Sequence, residues 1–259
     1  MSQLGIDHQD ACTLLTLERA DKANALSAEL VEALLDAVAQ AAARGARVLV
    51  LRGAGRNFSA GFDFSDEAAQ SEGDLLLRFV RIEALLQAVA ASGCLTLGLA
   101  HGRNFGAGVD LFAACQWRVC DPDAAFRMPG LAFGLVLGTR RFGQIVGAER
   151  ARDILETSAT FGAEQAQALG FVRRVLARAR WQDEIDAALR CASVLPPPAR
   201  AGLYRALAAD AAVADASLAD LVRSASAPGL KARVQAYLAA QSAARGKKDQ
   251  GQRASPPVV

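Results

Sequence analysis

Residues 95–116, LTLGLAHGRNFGAGVDLFAACQ, combine the residue types and spacing most able to do chemistry in this chain. The apolar run Leu95–Ala100 reads as a buried strand. Gly102, Gly106 and Gly108 mark a tight turn, and an apolar helix starts near Ala107. Such a junction leaves backbone N–H groups free and aims the positive end of a helix at one point. Negative charge developing on an oxygen can be held there. The turn is not a phosphate-binding loop: GRNFGAG lacks a Lys-Ser/Thr ending and is not GxGxxG. Few nearby side chains can move protons. Asp110 lies one turn into the helix, where its plainer role is to complement the helix dipole. His101 titrates in the right range, although a turn or packing role is the simpler expectation. Ser59 sits in FSAG, outside any GxSxG elbow, and reads as structural.

The elements that must position these groups alternate between strands and helices. Cys12–Glu18 reads as a strand. Ser27 then N-caps a helix running to Arg44, with Leu30, Leu34, Leu35 and Val38 at helical spacing and Gly45 at its end. Arg47–Arg52 is a strand buried on both faces. The loop GAGRNFSAGFDFSD at 53–66 follows it, and a second amphipathic helix spans Asp74–Ala91. Short strands are expected at Trp117–Cys120 and Ala124–Phe126, around a turn at Asp121–Pro122. Helices follow at 147–158 and 163–169, then a strand at 171–176 and helices from Trp181 onward. This is an α/β pattern whose βα turns face one side, so both glycine-rich loops can line one site. A soft boundary near Pro196 separates a core (1–195) from a helical region (196–245), and a polar tail (246–259) is expected to fray.

Composition excludes several classes. The chain has 259 residues and is 52% hydrophobic, enough for a sizeable core and too apolar for a disordered protein. The net charge is only +2 with dispersed basic residues, so nucleic acid is not an expected partner. No apolar run reaches the length of a membrane span, and MSQLGIDHQD has no signal-peptide pattern. The five cysteines form no CxxC pair, and His8 and His101 are the only histidines. Reduced thiols, a cytoplasmic location and no metal site are the expectation.

Five segments in order, RADKANALS, FSAGFD, HGRNFGAGVDL, AAFRMPGLAFG and ETSATFGAEQAQALGFVRRV, resemble the enoyl-CoA hydratase/isomerase (crotonase) family. The likeness covers about residues 10–240. It implies a spiral of ββα units with a helical C-terminal trimerisation region, assembled as a homotrimer or hexamer. It also implies a lyase or isomerase of fatty acid metabolism that acts on acyl-CoA thioesters. No separate cofactor is needed, since coenzyme A is part of the substrate.

Residue by residue, the resemblance makes the backbone N–H groups of Phe62 and Ala107 the donors to the thioester oxygen. Ala107 replaces the middle glycine of the family's triplet, which is tolerable if its φ is negative. Asp110 falls where relatives carry a first catalytic glutamate, its carboxyl set back by roughly 1.5 Å. The second glutamate position is Gly130, which has no side chain, so ordinary hydration and double-bond isomerisation lose a proton-handling group. The loop at 134–139 is short and offers no evident substitute. Decarboxylation, thioester hydrolysis, acyl-CoA binding without chemistry, and a structural subunit remain as alternatives. The implied substrate and CoA contacts are Lys22, Ala23, Ala25, Ala60, Gly61, Asp63, Phe64, Gly106 and Gly130. Arg103 is a further phosphate candidate. Residues 228–242, with Lys231 and Tyr237, resemble the helix that covers the acyl pocket. Phe62, Phe64 and Phe133 are candidate pocket walls.

Overall fold

In a computed structural model of the chain, residues 2–207 and 211–253 are described. A six-stranded sheet has the order β1 (Leu4–Gln9), β2 (Cys12–Leu17), β3 (Val48–Gly53), β4 (Leu95–Ala100), β6 (Trp117–Cys120) and β9 (Arg174–Val175). All its neighbours are parallel except β1 with β2. A small sheet joins β5 (Arg103–Phe105), β7 (Ala125–Arg127) and β8 (Thr160–Gly162). The helices are α1 (Ala28–Ala43), α2 (Glu72–Ala90), α3 (Ala107–Ala113), α4 (Thr139–Val146), α5 (Ala148–Thr157), α6 (Ala163–Ala168), α7 (Trp181–Val194), α8 (Pro197–Leu207), α9 (Ala211–Ala225) and α10 (Leu230–Arg253). The pairs β1–β2, β4–β5 and β6–β7 each lead into a helix, α1, α3 and α4. First strands enter the large sheet, whereas β5 and β7 enter the small one.

Strand alternation explains why the large sheet is covered on both faces. Leu15, Leu17, Leu49 and Leu51 face the main core, shared with α1, α2 and α3. Leu14, Val48, Val50, Leu97 and Leu99 face the other way, against Trp181, Ile185 and Ala188 of α7. Helix ends follow local chemistry. Ser27 Oγ accepts from the Leu30 N–H at 3.1 Å. In α2, Ser71 Oγ accepts from the Asp74 N–H at 3.1 Å while Asp74 Oδ2 accepts from the Ser71 N–H at 2.9 Å. This reciprocal cap starts α2 two residues before the expected Asp74.

The departures from expectation are local. β1, β5 and β8 are short strands that the residue pattern did not mark. The expected strand at 171–176 shrinks to Arg174–Val175. Leu221, Ala225, Leu230 and Val234 pack into the main core, so the C-terminal helices share a core with the α/β part. α10 continues to Arg253, across part of the stretch expected to fray, and residues 254–259 lie outside the described residues. Cys12, Cys94, Cys115 and Cys120 are buried free thiols, and Cys191 is an exposed one. Among the described residues, no helix is long and apolar enough to cross a membrane, and no three His, Cys, Asp or Glu side chains gather as a metal site requires.

Candidate functional site

The two glycine-rich loops meet. Gly61 has φ +83°, and a Cβ there would lie 2.2 Å from the Phe105 oxygen and 3.0 Å from the Ala107 nitrogen. Only glycine allows both that backbone conformation and that approach. Ser59 secures the contact: its oxygen accepts from the Phe105 N–H at 3.1 Å, and its Oγ donates to the Asn24 oxygen at 2.8 Å and accepts from the Gly61 N–H at 3.1 Å. The structural reading of Ser59 therefore holds.

Asn24, buried and with φ 54°, ties the preceding turn to the same loop. Its Nδ2 donates to the Ala54 and Asn57 oxygens, both at 2.8 Å, and its Oδ1 accepts from the Arg19 N–H at 2.9 Å. The Ala60 N–H donates to the Ala23 oxygen at 2.9 Å, and Leu26 bridges Phe62 in parallel. Lys22, Ala23 and Ala25 thus run beside Ala60 and Gly61, as one contact surface requires.

Within this corner, most amides are committed. The Gly61, Asp63 and Gly106 N–H groups donate to Ser59, Leu26 and Arg127 respectively. Among the described residues, the N–H groups of Phe62, Ala107 and Gly108 donate no internal hydrogen bond. Ala107 is not among the positive-φ residues; Gly106, at φ 47°, takes the turn instead. The methyl at Ala107 is therefore unstrained. The Phe62 ring packs against α2, stacked on Phe79 at 4.4 Å and covered by the Arg78 guanidinium at 4.1 Å. Phe64 contacts both Phe62 and Phe133, and Phe133 contacts Tyr237 of α10, so the candidate wall rings form one continuous cluster.

Asp110 is 3% exposed, and burial pushes its carboxyl well above the usual carboxylate range. Its Oδ1 has no hydrogen-bond partner among the described residues. The acid is thus not a solvated first-turn charge. Gly138 lies against it: a Cβ at Gly138 would stand 1.9 Å from Oδ1. Gly138 also lines a cavity of about 220 Å³, together with Glu83, Thr139, Arg141 and Ser217. Glu83 of α2 is 1% exposed, and burial raises its pKa against the pull of Arg141 and of Gln87. The Arg141 guanidinium is 3.9 Å from Glu83 Oε1, which accepts from Gln87 Nε2 at 3.1 Å.

The sequence reading missed Glu83 and Arg141. One signal was available: Glu83 follows Phe79 by four positions, on the face of α2 that carries Leu75, Phe79 and Leu86. Arg141 gave none.

Other candidates differ in what they offer. Gly130 opens a single 3-10 turn, Gly130–Phe133, and brings no functional group. The Asp63 carboxylate pairs with Arg19 at 2.7 Å and accepts from Ser65. Burial opposes its charge, but Ser65 and Arg19 outweigh burial and lower its pKa. Asp63 therefore brings position, its charge being committed. Lys22 and Arg103 are exposed. Lys231 Nζ donates to the Ala68 and Gln70 oxygens. His101 is buried against Trp181 with one ring nitrogen 3.0 Å from the Gly55 oxygen, and burial lowers its pKa, consistent with packing.

Comparison with known proteins finds relatives over most of the chain. The family model for enoyl-CoA hydratase/isomerase matches residues 7–223. The probable enoyl-CoA hydratase echA6 of Mycobacterium tuberculosis is 36% identical over 189 residues, covering 70% of this chain and 75% of that protein. The 4-chlorobenzoyl coenzyme A dehalogenase-2 of an Arthrobacter species is 28% identical over 201 residues, 74% of this chain and 73% of its own. A crystal structure from Bordetella parapertussis, provisionally described as an enoyl-CoA hydratase/isomerase, superposes with a TM-score of 0.90 at 60% identity, covering 92% of this chain and 98% of its own. The enoyl-CoA hydratase of Bacillus halodurans shares the fold, with a TM-score of 0.80 at 22% identity over 91% of this chain and all of its own.

Proposed function

The chain belongs to the enoyl-CoA hydratase/isomerase family and has its crotonase fold, and from that premise we propose that it binds an acyl-CoA thioester and stabilises the enolate form of the thioester oxygen between the Phe62 and Ala107 amides. One observation carries the reading: these amides stay uncommitted in a corner where Gly61, Asp63 and Gly106 are all hydrogen-bonded internally. A buried donor without a partner is unfavourable by about 1–3 kcal/mol, so a fold keeps one where a ligand supplies the acceptor. In other enzymes one such donor contributes roughly 2.7–4 kcal/mol to the transition state.

Asp110 is the acid of this site. Burial raises its pKa and so favours the protonated form, which can deliver a proton to the α-carbon as the enolate collapses. Lys22–Ala25, Ala60, Gly61 and Gly106 border the CoA and thioester, Asp63 anchors the loop, and Phe64 with Phe133 walls the acyl group. A cytoplasmic homotrimer or hexamer of fatty acid metabolism fits this reading; for the assembly alone, Val194, Leu195, Leu203 and Leu207, exposed along the end of α7 and α8, offer an apolar surface. Gly130 favours a second reading, an acyl-CoA-binding protein without chemistry.

The test is a thioester panel with two measurements, calorimetric binding of butyryl-CoA and turnover of crotonyl-CoA. Binding with turnover that disappears in Asp110→Asn is the expected result. Binding without turnover across the panel selects the second reading. No CoA-ester affinity leaves a structural subunit and ends the proposal.

A further inference from the structure

We infer that Glu83 is the second proton-handling carboxylate of this site, so that a 2-enoyl-CoA thioester is hydrated by the pair Glu83 and Asp110 although Gly130 bears no side chain. The inference rests on the acyl-CoA reading above and adds to it a residue from a different element.

Three observations converge on one cavity. Glu83 reaches into it from α2 while almost wholly buried. A buried carboxylate in a helix interior is unfavourable unless something uses or compensates it. Its compensation is thin: the Arg141 guanidinium stands 3.9 Å away, beyond hydrogen-bond distance, and Gln87 gives a single bond. On the far side, Asp110 Oδ1 has no partner among the described residues and presses on the backbone of Gly138, which lines the same cavity. Any side chain at 138 would collide with that carboxyl, so glycine there is what separates Asp110 from the cavity. The about 220 Å³ volume has room for several waters or the end of an acyl group.

The two carboxyls have different surroundings. Burial raises the pKa of both, and Arg141 opposes that effect on both. Glu83 has a guanidinium at 3.9 Å and an amide donor to favour its charged form, whereas Asp110 Oδ1 has no partner among the described residues, so Glu83 takes the base role. Two carboxyl groups in unlike surroundings can divide the roles of acid and base.

The step balances as follows. Glu83 takes one proton from a water in the cavity, and that water's oxygen forms a bond to the β-carbon. The Cα=Cβ pair shifts to Cα–C(O), and the carbonyl π pair moves onto the thioester oxygen, held by the Phe62 and Ala107 amides. The enolate then collapses, taking the Asp110 proton at the α-carbon. Water has been added, and Glu83 now carries a proton that Asp110 has lost. Transfer through solvent restores both.

The experiment uses the full chain with crotonyl-CoA for hydration and butyryl-CoA, which cannot be hydrated, for binding. Glu83→Gln is expected to lower kcat by about 100-fold or more while the butyryl-CoA Kd stays within about threefold. Glu83→Asp is expected to recover part of kcat. A merely structural glutamate would change Kd and melting temperature and leave kcat of the folded protein in place. Wild-type kcat in Glu83→Gln overturns the inference. So does a wild-type protein that binds butyryl-CoA yet hydrates nothing, an outcome that leaves thioester binding standing. Loss of binding in the wild type ends both. Should Glu83→Gln fail to fold, Glu83→Asp decides: a fall of tenfold or more at unchanged Kd supports the role, and unchanged kcat overturns it.

Discussion

The amide corner and the carboxyl cavity are built on opposite principles. The corner, around Gly61, Phe62 and Ala107, consists of main chain, and the Phe62 ring packs on Phe79 of α2. The cavity is lined by side chains from α2, α4 and α9, Glu83 and Arg141 among them, with Asp110 of α3 behind Gly138. The corner tolerates changes of residue type but not of backbone path. The cavity tolerates small shifts of backbone but not loss of a functional group.

The largest expected effect comes from breaking the corner's path. Gly61→Ala places a Cβ 2.2 Å from the Phe105 oxygen at a φ of +83°. The loops must separate, and crotonyl-CoA turnover should fall by about 10²–10³, as for loss of an oxyanion donor. Unchanged turnover would move the thioester oxygen away from this corner.

Next comes the acid. Asp110→Asn should lower turnover by about 10²–10⁴, the range for a lost general acid. It should also stabilise the fold at neutral pH. Because the folded-state pKa of Asp110 is raised, the native protein binds the proton more tightly than the unfolded chain. Stability from that proton is present at acid pH and declines as pH rises above about 3.8, the ordinary value, toward the raised one. Asparagine escapes this loss, so the melting temperature of Asp110→Asn should exceed that of wild type increasingly over that interval. Parallel melting curves across pH would contradict the buried, protonated state.

A third variant separates the two principles. Phe62→Leu keeps the amide and shrinks the ring under Arg78. Chemical denaturation should show a loss of about 1–2 kcal/mol from the core vacancy, with kcat changed less than about threefold. A large kcat effect would mean that the ring, not only its N–H, shapes the site. Smallest is Lys22→Ala, where an exposed ammonium is removed. CoA-ester affinity should weaken by a few-fold at low salt and hardly at all at high salt, since exposed charges are screened within about 10 Å at 0.1 M. Titrations at two ionic strengths check this.

The same contrast explains what could be read from residues alone. Strand, turn and helix at 95–113 were legible because apolar runs and glycines report local backbone. Ser27 as a cap and Ser59 as a structural residue were legible for similar reasons. The pairing of Glu83 with Arg141 depends on how α2 packs beside α4, and nothing within either segment carries that information. Asn24 went unremarked although it secures the loop, because its partners at 54 and 57 are thirty residues away. The short strands β5 and β8, each three residues long, are too brief for alternation to show.

One helix links the two regions. Phe79 and Glu83 lie a single turn apart on α2, one beneath the ring of an amide donor and the other in the carboxyl cavity. A rigid rod thus sets the offset between charge stabilisation and proton supply. Any push or rotation that α2 receives, for instance at its outward-facing Leu77, is handed to both at once, so the two functions keep a common alignment or lose it together.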